Sequence, residues 1–376
     1  AVPPDIGGAL RVASLNVYNY FTTLNERGAN TVEELTRQRT KIIAALTAMD
    51  ADIFALIEIE NNGTGPGSAL ADLGSGLNDV VGAGTYSVLD PSVSPIGSDA
   101  IMVGMLYRPA AVTPVGSAAI LDSSVDARFD DTYNRPSLAQ AFEDNATGER
   151  FTVVVNHLKS KGSSCDVIGD PDLGDGQGNC NVTRTNAVLA LVDWLETDPT
   201  GSESGAVLIL GDLNAYLEED PITALETAGL ENLLTLPKLS APYSYVFDGQ
   251  AGLLDHAFAS MELLPYLTGI GVWHINADEP AVLDYNTEYG RPPELYSPDP
   301  YRSSDHDPVL AGLDFTLEPP IPEDINGDGE VNAVDVQLVI NGALDLDTGG
   351  LDTDINGDGD VNAVDIQRVI NAALAR

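Results

Sequence analysis

The sequence predicts a large α/β domain with both parallel and antiparallel strand pairing, followed by a small helical domain built on calcium loops. Three observations carry this. Short apolar, strand-like runs alternate with helical patterns over residues 1–316, which favours strands joined through crossover helices. One pair of runs departs from that scheme: Leu138–Phe142 and Phe151–Val155 are joined by the hairpin-like turn 143–149, so antiparallel pairing enters and a mixed sheet or sandwich is expected. Beyond a Pro-rich stretch, an acidic segment occurs twice, at 324–335 and again at 354–365.

Taken in order, Leu10–Val17 reads as the first strand. Thr31-Val-Glu-Glu34 is a capping box that opens a helix running to Met49. Further strand-like runs are Asp52–Ile59, Ile101–Tyr107, Phe151–Asn156 and Val207–Leu210, and Ala187–Leu195 is helical with Trp194 in the core. The linker at 317–323, Leu-Glu-Pro-Pro-Ile-Pro-Glu, should be stiff and extended. The expected organisation is therefore a domain at 1–316, a linker at 317–323 and a second domain at 324–376.

Composition narrows the class. A chain of 376 residues with 43% apolar content can bury a sizeable core. No apolar run reaches the length that spans a membrane. The opening segment lacks a basic-then-apolar leader, so a mature or trimmed chain is expected. Basic residues number 17 against 58 acidic ones, for a net charge of −41. Such a surface repels polyanions at long range, and salt shortens that repulsion. Such a chain would stay soluble in high salt, and a saline or calcium-rich external setting is expected. Cys165 and Cys180 share one Gly/Asp-rich loop, where a disulfide would contribute about 3 kcal/mol.

In the second domain, oxygen-bearing residues fall at loop positions 1, 3, 5, 7, 9 and 12: Asp324, Asn326, Asp328, Glu330, Asn332 and Asp335, then Asp354, Asn356, Asp358, Asp360, Asn362 and Asp365. Gly329 and Gly359 stand at position 6, where the loop must turn sharply around a hard cation. Position 12 is Asp rather than the usual Glu. Each loop runs into an amphipathic helix, with Val336, Val339, Ile340 and Leu344 on one face and Ile366, Val369, Ile370 and Leu374 repeating it. The duplicated loop–helix resembles a type I dockerin over residues 321–376. That resemblance implies two bound Ca²⁺ ions and a cohesin-type partner docked through Ala333-Val334 and Ala363-Val364. The alternative is an acidic calcium-stabilised appendage with no partner.

In the large domain, six runs end in polar residues: Ser14-Leu-Asn16, Leu56-Ile-Glu58-Ile-Glu60, Val155-Asn-His157-Leu-Lys159-Ser-Lys161, Leu210-Gly-Asp212-Leu-Asn214, Leu254-Asp255-His256 and Ser304-Asp305-His306-Asp307. Strand ends are where a sheet presents reacting groups. Carboxylates and amides suit Mg²⁺, Mn²⁺ or Ca²⁺. Phosphodiester hydrolysis needs neutralised charge, an activated water and proton transfer, which Asp/His pairs can supply.

The order Asn…Glu…Asn-His…Gly-Asp-Leu-Asn…Asp…Ser-Asp-His resembles the endonuclease/exonuclease/phosphatase superfamily, the group of pancreatic deoxyribonuclease I, over residues 8–316. The resemblance implies a four-layer α/β sandwich with two mixed β-sheets. It implies a catalytic Mg²⁺ or Mn²⁺ held at Asn16 and Glu58, with Asp305 able to reach it. Asp212 would orient or deprotonate the attacking water, and Asn214 would contact the phosphate. His157 would pair with Asp255 and serve the leaving group. His306 would stabilise the pentacovalent phosphate, forming a dyad with Asp305, while Asp307 stands by. Glu60 lies one strand period beyond Glu58, so either could ligate. His256 reads as structural, and His274 as a core or surface residue.

Smaller features lean towards secreted bacterial extracellular nucleases: Asn156-His-Leu-Lys-Ser-Lys-Gly162, the Cys-flanked loop, and Arg184 and Arg135 in their segments. Arg135, Lys159, Lys161 and Arg184 would put positive charge near the scissile phosphate, or Arg135 and Arg184 would pair with acids. Asp166, Asp170, Asp172 and Asp175 offer a further calcium site or a solvated loop. The expectation is a secreted, monomeric, metal-dependent nuclease acting on DNA, with RNA as an alternative substrate and no membrane partner. The rivals are a secreted phosphatase or phosphodiesterase acting on lipid or inositol head groups, and a non-catalytic scaffold component.

Overall fold

The computed structural model describes residues 2–236, 242–288, 290–318 and 321–374. It falls into two compact units, Ala1–Thr316 and Leu317–Arg376. Pro319 and Pro320 of the expected linker lie outside the described residues.

In the first unit the strands are β1 (Leu10–Tyr20), β2 (Ile53–Glu60), β3 (Ser87–Val88), β4 (Ile101–Tyr107), β5 (Val112–Leu121), β6 (Arg135–Asp144), β7 (Arg150–His157), β8 (Val207–Asp212), β9 (Glu231–Asn232), β10 (Tyr245–Phe247), β11 (Gln250–Gly252), β12 (Asp255–Ala259), β13 (Leu267–Val272) and β14 (Val309–Leu313). Its α-helices are α1 (Val32–Met49), α2 (Ala69–Val81), α3 (Asn181–Leu195) and α4 (Asp220–Thr227). Two six-stranded sheets form, in the orders β13-β14-β1-β2-β4-β3 and β5-β6-β7-β8-β12-β9, beside a two-stranded β10-β11 hairpin. Both sheets are mixed: β1–β2 and β7–β8 are parallel, while β1–β14, β6–β7 and β8–β12 are antiparallel.

The layering follows from strands that are apolar on both faces. Val12, Ile53, Ala55, Ile57 and Met105 of one sheet meet Leu138, Phe151, Val153, Val155 and Leu210 of the other in a central core. The alternate residues point outward. Ala13, Leu15, Phe54 and Leu56 pack under Ile42, Leu46 and Leu70 of α1 and α2. Val154, Ile209 and Phe258 pack under Val188, Leu191 and Ile222 of α3 and α4. The result is the helix–sheet–sheet–helix sandwich.

At the α1 start Thr31 Oγ1 accepts from Glu34 N at 3.1 Å, as the capping box expects. The buried Glu34 carboxylate lies close enough to the Thr31 backbone for that contact to favour its charge, and it also accepts from Asn30 N and from the backbone and hydroxyl of Thr287, each at 2.8 Å. The side chain thus ties the helix start to a loop more than 250 positions away. The expected hairpin is present, with Phe142 opposite Phe151.

The second unit holds helices α5 (Ala333–Ala343) and α6 (Ala363–Leu374). Asp335 accepts from Asn326 N and Asn332 N, and Asp365 from Asn356 N and Asn362 N, so the twelfth residue closes each loop and caps its helix. Asp324 accepts from Gly327, Asp328 and Gly329 N, and Asp354 repeats this with Gly357, Asp358 and Gly359. The oxygen-only side chains drawn together by these turns suit a hard cation. The buried centre is Ile325, Val331, Val339 and Val369. Leu344 and Leu374 are exposed by 63% and 80%, which corrects their expected place on the core face; Leu338, Ala372 and Ala373 pack there instead.

So small an apolar centre would leave this unit dependent on ions held in its loops. A calcium-selective chelator should strip hydrogen-exchange protection from α5 and α6 while that of β7 and β8 persists. Unchanged protection in α5 and α6 would contradict the loop assignment.

Candidate active site

Four neighbouring strands of the second sheet end on one rung. Arg135 stands opposite His157, His157 opposite Asp212, and Asp212 opposite Asp255. Opposed residues project to the same face, about 4.8 Å apart from strand to strand. The first sheet contributes Asn16 from β1, Glu58 from β2 and Asp305-His306 from the turn entering β14. Glu58, His157, Asp212, Asn214, Asp305 and His306 line one cavity of about 550 Å³.

The two histidines differ in charge. His306 Nδ1 lies 2.7 Å from Asp255 Oδ2, and its Nε2 lies 4.0 Å from Asp212 Oδ2. Burial opposes its protonation, but Asp255 and Asp212 outweigh burial and hold its pKa well above the usual value. His157 Nε2 lies 3.6 Å from Asp212 Oδ2 and 4.0 Å from Glu58 Oε1, while its buried Nδ1 has no hydrogen-bond partner among the described residues. Burial, then the Arg135 charge, drive its pKa well below the usual value. The surroundings therefore favour the charged form of His306 and the neutral form of His157 on either side of Asp212, whose own carboxyl is pushed up by burial.

Two expected pairings are corrected by this register. His157 does not pair with Asp255, because β8 lies between their strands and Asp212 occupies the intervening rung. Asp305 does not hold His306, since Asp255 does; Asp305 lines the cavity with Glu58 instead. Asp212 Oδ1 accepts from Asn214 N at 2.9 Å, and Asn214 Nδ2 donates to Leu158 O at 3.0 Å, so Asn214 is braced at the cavity wall. Asp212, Asp255 and His306 bring ligand-capable atoms within 4.8 Å of one another.

Glu58 and Glu60 do not share a face as expected. The β2–β4 register shifts between Leu56 and Ile59, and Glu58 takes a left-handed φ of 66°. This bulge turns Glu58 into the cavity. Glu60 turns to the loop after β1, accepting from Thr22 N, Thr22 Oγ1 and Thr23 N. Glu58 Oε2 accepts from Asn19 N at 3.0 Å and from Asn19 Nδ2 at 2.6 Å. The buried Asn16 amide nitrogen makes no well-formed hydrogen bond, although it lies close enough to favour the Glu58 charge. Burial, then the Asp305 charge, push Glu58 above the usual carboxylate range. A carboxylate held above its usual range by burial and by a second acid lining the same cavity fits a bound divalent cation. Glu58, Asp305 and Asn16 are the residues that would hold it.

The expected basic residues divide. Arg135 lines the cavity, with Nε 3.2 Å from Asp99 Oδ2. Lys161 also lines it and pairs with Glu219. Lys159 turns Nζ to Ser163 Oγ. Arg184 is fully buried and donates to the carbonyls of Lys159, Gln177 and Asn179, so it braces the Cys loop and cannot meet substrate. That loop is closed by a Cys165–Cys180 disulfide. Its aspartates gather into no metal cluster among the described residues: Asp170 caps α3 through Val182 and Thr183, and Asp172 and Asp175 close local turns. His256 Nε2 is tied to Ala215 O. Asp307 accepts from the backbone of Ile275, Asn276 and Ala277 and bonds His274.

Sequence reasoning missed Arg27, Asn19, Tyr216, Tyr245 and Phe247, all of which line the cavity. Asp248-Gly249, with φ of 48° and 75°, is a tight hairpin turn of the kind that signals a β10–β11 arm. The aromatic residues before it were the available clue.

A buried carboxylate between two imidazoles, in a cavity that two further acids line, fits a hydrolase of phosphoesters as a class. The chain belongs to the Endonuclease/Exonuclease/phosphatase family, whose profile matches residues 13–306. The Dockerin type I domain profile matches residues 322–374. Among solved structures, a mannosyl-6-phosphatase from Bacteroides thetaiotaomicron is 17% identical, covering 81% of this chain and 99% of its own, with a TM-score of 0.49. TDP2 from D. rerio complexed with single strand DNA product is 15% identical, covering 80% and 97%, with a TM-score of 0.48. The human Nocturnin catalytic domain is 16% identical, covering 80% and 93%, with a TM-score of 0.47. No curated protein matches the chain.

Because the His306 pKa is raised, the stability its pairing contributes is complete below the unfolded value of about 6.5 and is lost as pH rises through the folded value. The wild-type advantage over Asp255→Asn should therefore be largest at low pH and shrink with rising pH. Urea melts across pH measure it, and an advantage that grew with pH would contradict the pairing. Glu58→Gln should raise the divalent-ion concentration for half-maximal activity by about tenfold or more, and Glu60→Gln should leave it unchanged. Metal titrations of activity decide between them, and equal shifts would remove the distinction.

Proposed function

We propose that the chain is a secreted, divalent-metal-dependent nuclease that hydrolyses phosphodiester bonds of nucleic acid, with DNA as the first expectation. One observation carries the reading. Arg27 Nη1 and Arg135 Nε approach opposite oxygens of the single Asp99 carboxylate, at 3.0 and 3.2 Å. Two guanidiniums against one carboxylate leave net positive charge on the cavity flank beside His157, in a chain of net charge −41. Local cations at the reacting phosphate count for more than a distant acidic surface, particularly in salt.

Mg²⁺ or Mn²⁺ at Glu58, Asp305 and Asn16 would neutralise charge on the phosphoryl oxygens. Asp212 orients the attacking water and takes its proton, a task suited to a carboxylate whose burial raises its basicity. His306, charged and fixed by Asp255, stabilises the negative charge that gathers on the pentacovalent phosphate and gives its Nε2 proton to the leaving oxygen as the P–O bond breaks. His157, neutral, directs Nε2 towards Asp212 and borders the phosphate position. Asn214, braced on Leu158, borders the phosphate position. In the second unit Val334 and Val364 are exposed by 52% and 54%, which supports docking to a cohesin-type partner outside the cell.

Plasmid DNA, single-stranded RNA and bis(nitrophenyl) phosphate should be compared with Mg²⁺, Mn²⁺ or chelator. Metal-requiring cleavage of DNA, falling about 10²-fold or more in His157→Ala and in His306→Ala, is expected. Turnover of the small ester with both nucleic acids intact would move the function to another phosphoester. No turnover of any substrate would favour the scaffold role.

A further inference from the structure

Seven of the eight phenylalanines are buried, as a 43% apolar chain would arrange them. Phe247 is the exception, standing 66% exposed while lining the rim of the candidate active site. Its hairpin is not a loose loop. Ser244 N donates to Gly252 O at 3.0 Å and closes the arm at its base. The buried Ser244 Oγ accepts from Leu254 N and Asp255 N at 3.1 and 2.9 Å, and its carbonyl accepts from Asp307 N at 2.8 Å. One serine therefore clamps the arm to both residues flanking the charged pair, the strand start carrying Asp255 and the turn carrying His306.

The arm presents rings towards the reacting centre. Tyr245 lies against His306, with ring centroids 4.6 Å apart and planes tilted by 35°. Phe247 follows two positions later, on the same face of the strand and about 6.6 Å further out. Tyr216 seals the other side so closely that a Cβ on Gly252 would lie 2.4 Å from its ring. The exposed ring thus stands one step out from the phosphate position, on a fixed mount, across a cavity whose flank carries Arg27 and Arg135.

We propose that Phe247, mounted on the Ser244-clamped arm, is a stacking platform for an unpaired nucleobase next to the scissile phosphate, and that it gives the site a preference for single-stranded over duplex nucleic acid. This rests on the nuclease reading. A guanidinium flank selects an anion, and an apolar planar ring beside it selects a flat apolar substituent on that anion, which a nucleobase supplies only when it is free of its pairing partner. A fixed mount matters because a platform that need not be ordered on binding loses less affinity to entropy. The role is binding, so its loss should appear in KM.

The test compares wild type, Phe247→Ala and Phe247→Trp on one short oligonucleotide, single-stranded and annealed to its complement. Phe247→Ala should raise KM for the single strand roughly tenfold, with kcat within about twofold and the duplex KM nearly unchanged. Phe247→Trp should keep the wild-type preference. Unchanged KM in Phe247→Ala on a DNA that wild type cuts would overturn the platform and leave the nuclease standing. Equal losses on both forms would also overturn it, as damage to the arm as a whole. If wild type cuts neither form while hydrolysing another phosphoester, the nuclease reading fails and takes the platform with it.

Discussion

A carboxylate buried between two imidazoles is the constraint around which this site is built. Asp212 sits mid-rung in the second sheet, where an unpaired charge would be costly. The neighbouring strands resolve it asymmetrically: Asp255 supplies the charge that keeps His306 protonated, and Arg135 helps keep His157 neutral. Strand order enforces this division, because β8 separates His157 from Asp255. The first sheet then brings Glu58 and Asp305 to the open side, where the Asp305 charge beside the buried Glu58 suits a cation.

Backbone strain gathers at the same place. Tyr18, Asn19, Glu58, Asn214 and Arg302 all take left-handed φ values between 49° and 66°. Each such residue costs on the order of 1 kcal/mol or more, and persists only where its surroundings over-determine it. Here they do. Asn19 clasps Glu58, Asn214 is held from Asp212 and Leu158, and Arg302 Nη1 donates to Asn276 O at 2.6 Å. The strain aims side chains that a regular strand would point elsewhere, as the bulge at Glu58 shows against Glu60.

Much of this was legible in the sequence. Apolar runs such as Asp52–Ile59 signalled strands, the 143–149 turn signalled mixed pairing, and polar residues closing apolar runs marked the site. Pairing across the sheet was not legible, because register is fixed between segments far apart in sequence and not within either one. Hence the Asp255 partner was misassigned. The bulge that separates Glu58 from Glu60 breaks the period-two rule that sequence reading depends on. Arg184 shows a further limit: residue type reveals a cation, but only burial reveals that its terminal nitrogens are directed at three loop carbonyls rather than at a phosphate.

The central claim is the opposite protonation of the two histidines, and the most direct measurement is an NMR spectrum of the imidazole nitrogens in the intact chain at neutral pH. The account predicts a His306 ring protonated at both nitrogens and a His157 ring protonated at one. A doubly protonated His157 with a neutral His306 would contradict it.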